Sequence, residues 1–93
     1  MTPEQERQRG QDAKRLLEEP LLAEAFTTLE QEIIDKWKTA PARDVEGREK
    51  LWTMLHLLQR TRAHLESVMA SGRLAEATLA QRARHALGRS TSL

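Results

Sequence analysis

Thr39-Ala40-Pro41-Ala42-Arg43-Asp44 is a helix stop followed at once by a helix start. Pro41 pushes the residue before it out of the α region. Asp44 has the short acceptor side chain favoured at an N-cap, and Glu46 follows in the first turn, where a carboxylate complements the helix dipole. Apolar residues recur every three or four positions on both sides of this break. Leu22, Phe26, Leu29, Ile33 and Trp37 precede it, and Leu51, Leu55, Leu58, Leu65 and Val68 follow it. That spacing is the signature of amphipathic helices. Two such helices joined by a short break predict an antiparallel helical hairpin.

The flanks extend the pattern. Pro20 suits a first helical turn, so the helix before the break reads as Pro20 to about Lys38, with Glu32 and Lys36 at a supportive spacing of four. The helix after it reads from Asp44 to about Ser71, with Gly72 as a C′ glycine. Its seam, Leu51, Leu55, Leu58, Arg62, Leu65 and Met69, is interrupted once by a base. Upstream, Thr2, Pro3 and Gln5 form a capping box for a charged helix from Pro3 to about Glu18. Its first ten residues are expected to be solvated or frayed, with Gly10 weakening them by about 1 kcal/mol relative to alanine. Only its last turn should dock. Downstream, Leu74 to Leu87 has a weak face of Leu79, Ala83, Ala86 and Leu87. It reads either as a short helix or as a segment that does not hold a helix in the free protein.

The chain therefore reads as all-α, a single helical domain over 1–93. It has a charged leader helix at 1–19, a hairpin core at 20–71 and a basic C-terminal segment at 72–93. A 93-residue domain buries little more than ~60% of its unfolded surface. With only Phe26, Trp37 and Trp52 as aromatics, the core is thin. Disulfides, metal or association are the usual remedies. There is no cysteine, and His56, His64 and His85 are not spaced to share one helical turn. Association, or docking on a larger partner, is left. The N-terminus lacks the basic-then-apolar pattern of a signal peptide, and no apolar run reaches the ~20 residues of a membrane span. A cytoplasmic protein is expected, with no membrane partner.

No catalytic signature stands out. Glu18–Glu19 and Glu30–Glu32 lie on charged faces without the apolar cleft that would tune a catalytic acid. Ser67, Ser71 and Ser90 lack a glycine-framed elbow, and Gly47 and Gly72 make no phosphate loop. Catalytic, cofactor-binding and metal-binding residues are all expected to be absent, so the chain reads as a non-enzyme. Function should lie in surfaces. A second apolar edge on the long helix, with Trp52, Met54, Leu57 and Val68, widens its face beyond what one neighbour covers and reads as an oligomer interface. Trp37 and Trp52 each lie about two turns from the bend. They either plug the end of the core, the plainer reading, or anchor a partner as a half-exposed pair.

Charge is polarised under a net of +1. Residues 1–47 carry eleven acids and seven bases, and residues 72–93 carry Glu76 against Arg73, Arg82, Arg84 and Arg89. With Trp37, these arginines are the candidate partner-binding residues, for an acidic protein surface or for DNA. The alternative is that Leu79, Ala83 and Leu87 fold back to complete the core. No helix pair fits a helix-turn-helix reader, since Gly72 offers the only candidate turn.

Pro-Leu-Leu-Ala-Glu-Ala-Phe (20–26), the break at 39–44, Gly-Arg-Glu-Lys-Leu-Trp (47–52) and His-Leu-Glu-Ser-Val-Met-Ala-Ser-Gly-Arg-Leu-Ala (64–75) together resemble the small helical proteins encoded among tailed-phage head and packaging genes. The hairpin plus tail is similar to the oligomerisation core of small terminase subunits, without their N-terminal helix-turn-helix. The resemblance implies a self-associating adaptor in DNA packaging or head assembly, meeting a packaging motor or portal, in the host cytoplasm or with the virion. It carries over no catalytic residue. Two other functions remain open: a phage-encoded inhibitor or regulator of a host protein, and a basic-tail nucleic-acid binder.

Overall fold

The computed structural model describes residues 1–91, with side chains up to Gly88. The described residues are all-α and form three helices: α1 (Pro3–Glu18), α2 (Pro20–Thr39) and α3 (Val45–Thr91). The capping box at the start of α1 is complete. The Thr2 N–H donates to Gln5 Oε1 at 3.0 Å, and the Gln5 N–H donates to Thr2 Oγ1 at 3.2 Å. Glu19 alone separates α1 from α2. It is extended, with φ −65° and ψ 117°, because Pro20 opens the next helix. Ala40 is extended before Pro41 for the same reason and ends α2. The carboxylate of Asp44 then accepts from the Gly47 N–H at 3.0 Å and caps α3.

The fold divides into two compact units. Residues 16–64 form the antiparallel hairpin of α2 against the first part of α3. Phe26 and Ile33 are its buried residues. Arg62, the base that interrupts the seam, reaches Glu30 at 3.1 Å and lays its guanidinium over the Phe26 ring at 5.0 Å. Arg48 covers the Trp37 ring at 4.4 Å at the other end. These two contacts fix the antiparallel register, since rising numbers on α2 meet falling numbers on α3.

Residues 1–15 and the chain from Leu65 onward form the second unit, and here two sequence expectations are corrected. Gly72 does not stop a helix: α3 runs through it without interruption, and no glycine has positive φ. Nor does α1 dock by its last turn alone. A Cβ on Gly10 would lie 2.6 Å from Gly72 Cα and 3.3 Å from the Val68 carbonyl oxygen. A Cβ on Gly72 would lie 3.1 Å from the Glu6 carbonyl oxygen. The two backbones touch where neither helix has a side chain, and Ala13 and Ala75 are buried beside them, 3% and 4% exposed. Gly10 and Gly72 permit this approach because they lack Cβ. The basic segment from 72 is thus helical, and its start is packed against α1.

Candidate docking grooves

A pair of packed helices buries only the strip between them, and the margins of this hairpin stay open. On one side, Leu29, Glu32, Ile33 and Lys36 of α2 and Met54, Leu57, Leu58 and Thr61 of α3 line a groove of about 400 Å³. Leu29, Met54 and Leu57 are 47%, 52% and 55% exposed there. A second groove, of about 340 Å³, is lined by Ile33, Ile34, Trp37, Leu51, Trp52 and Leu55. At 3.6 residues per turn, Met54 and Leu57 fall to one side of the Leu51–Leu55–Leu58 seam and Trp52 to the other. The two grooves therefore flank the hairpin.

This placement divides the single edge that the sequence suggested. Met54 and Leu57 share a groove, whereas Trp52 lines the opposite one. Val68 lies in the other unit, half-buried, with its carbonyl against Gly10. Trp37 and Trp52 line the same groove, but neither is a buried plug: they are 45% and 62% exposed. Trp52 stacks on His56 with ring centroids 5.0 Å apart and planes 6° from parallel. Indole faces held by a guanidinium and an imidazole are fixed, amphipathic contact surfaces.

Two of the basic candidates line different concavities. Arg73 lines a crevice of about 160 Å³ between α1 and α3, with Arg7, Lys14 and Glu76 nearby. Arg82 lines a separate concavity with Thr78, Gln81, His85 and Ala86. Arg84 is exposed on α3, and the side chain of Arg89 lies outside the described residues. What sequence reading missed is the partnership that settles the seam base, Arg62 with Glu30 and Phe26. An acid at 30 and a base at 62 on facing stripes was the available signal.

Glu4 and Arg7 are the groups with displaced titration. The Arg7 guanidinium, hydrogen-bonded to Glu4, holds that carboxyl below its ordinary value, and Glu4 in turn raises Arg7. Among the described residues, no cluster of three or more His, Cys, Asp or Glu is arranged to hold a metal ion. Among the described residues, no helix is long and apolar enough to cross a membrane. No family model matches the chain, and no curated protein or solved structure matches it.

Proposed function

We propose that this protein is a non-enzymatic adaptor that associates with itself through its hairpin and offers its remaining surface to a larger protein. The observation that carries this reading is the exposure of the hairpin margins, where Leu29, Met54 and Leu57 line one groove and Trp37 and Trp52 the other. Open, apolar, water-accessible grooves rimmed by polar residues favour docking of a partner surface. The resemblance to tailed-phage packaging proteins gives the adaptor its setting, DNA packaging or head assembly in the manner of a small terminase subunit.

Light-scattering mass at micromolar concentration tests the association. A mass of at least two chains is expected, and a single-chain mass overturns the reading. The indole groove favours a second reading, a regulator that binds a host protein. A monomer that captures such a protein through Trp37 and Trp52, and loses it on Trp37→Ala, would select it.

A further inference from the structure

We infer that the groove lined by Leu29, Met54 and Leu57 is covered by the same groove of a second copy, related by a twofold axis, so that two hairpins close into a four-helix bundle. The inference rests on the self-association proposed above and names its face and symmetry. Two observations support this groove, and the first distinguishes it from the indole groove opposite.

The first is chemical. Its apolar floor carries Glu32 and Lys36 on the α2 rim, one helical turn apart. Among the described residues neither makes an ion pair within the chain. A twofold axis lying in the interface, perpendicular to α2 and passing beside it level with the midpoint between these two residues, sets Glu32 of one copy beside Lys36 of its partner, and Lys36 beside Glu32. One side chain pair thus supplies two attractive contacts, and the rim is complementary to itself. An isologous interface requires that property. The indole groove has no such rim. Its lining is apolar throughout, and the charge at its end, Arg48, is spent on Trp37.

The second is geometric. Leu29, Met54 and Leu57 stand on both helices of the hairpin, on the same side of the seam, and are about half exposed. A second hairpin laid face to face supplies the missing wall for both helices at once, as in four-helix bundles packed about a shared apolar core.

The test uses the full-length chain. Sedimentation equilibrium would be run on the parent, on Leu57→Glu, and on Glu32→Lys and Lys36→Glu separately and mixed in equal amounts. Circular dichroism of each would confirm helicity. Leu57→Glu should raise the dissociation constant about tenfold or more, because it places a carboxylate in the closed core. Glu32→Lys alone brings two lysine pairs together across the axis, and Lys36→Glu alone brings two glutamate pairs together. Each should dissociate. Their mixture should reassociate as a heterodimer, as should the chain carrying both changes. Rim residues leave the hairpin core untouched, so the charge variants decide the matter even where Leu57→Glu unfolds.

The failures are distinguishable. A monomeric parent overturns self-association itself. An associated parent whose rim variants are unaffected, or are weakened without rescue on mixing, overturns only the twofold use of this groove. That second outcome would point to the groove of one copy meeting the indole groove of the next.

Discussion

Gly72 and Gly88 occupy the same helix and should respond oppositely to the same change. Alanine is a better helix former than glycine by about 1 kcal/mol. At Gly88 an added Cβ meets nothing within 4 Å, so Gly88→Ala should stabilise by about 0.5–1 kcal/mol. At Gly72 the Cβ would press on the Gly10 backbone at 2.6 Å and the Glu6 carbonyl oxygen at 3.1 Å. Backbone cannot turn aside as a flexible side chain can. Gly72→Ala should therefore cost about 1–3 kcal/mol, read by thermal melting together with amide exchange in α1. A stabilised variant would mean that the helices do not touch there. Glu4 gives a weaker, pH-dependent effect. Its folded value lies below the ordinary 4.5 because of Arg7. Its contribution is therefore complete above that ordinary value and is lost as pH falls through the lowered one. Since the pair is exposed, acid should loosen the first turn of α1, seen in its amide resonances, without unfolding the chain.

At the scale of helices, the hairpin is held by a short seam and one buried-edge ion pair. Leu58 is half-buried beside Ile33 and Leu29. Leu58→Ala should cost about 2–3 kcal/mol, the lower part of the range for leucine truncation. A melting temperature equal to the parent's would remove Leu58 from the seam. Arg62 and Glu30 call for a different experiment. Their 3.1 Å contact is an ion pair without hydrogen-bond alignment, and Glu30 Oε1 has no other partner. Removing the arginine alone strands a carboxylate next to Phe26, whereas removing both charges strands nothing. Arg62→Met should thus destabilise by about 1–2 kcal/mol more than the double change Arg62→Met with Glu30→Leu. Denaturant titration of the two variants against the parent reads the difference. A double variant as unstable as the single would show that Arg62 acts through its stem on Phe26 and not through charge.

At the scale of the whole molecule, the division into two units changes what truncation should do. A chain ended after Gly72 loses Ala75, which is buried against the N-terminal helix's unit. The expected outcome is that residues 4–15 lose protection from amide exchange while 20–64 retain theirs, because the hairpin's contacts lie within 16–64. Retained protection in 4–15 would show that Gly10 and Val68 suffice to hold α1. This removes a clean assignment of the segment after 72 to partner contact alone, since its first turn is structural. Arg82 and Arg84 remain exposed and free of that duty. A charge reversal at both should leave melting within about 0.5 kcal/mol of the parent, as for surface changes generally.

What the sequence by itself determined was where helices begin, where they can end, and which faces are apolar. Those follow from local chemistry: proline at 20 and 41 excludes α conformations before it, Asp44 caps, Thr2 and Gln5 close a box, and a spacing of three and four makes a stripe. The antiparallel pairing of α2 with α3 followed from a break too short for any other course. Tertiary structure decided the meaning of the glycines and the side on which each exposed residue falls. Lack of a Cβ serves a left-handed helix stop and a close backbone contact equally well, and only a facing backbone tells them apart. At Gly10 and Gly72 that backbone is the other helix. Likewise, Trp52, Met54 and Leu57 are neighbours in sequence and all fringe one seam. Only the seated position of α2 on α3 shows that the tryptophan faces one groove and the other two residues face its opposite.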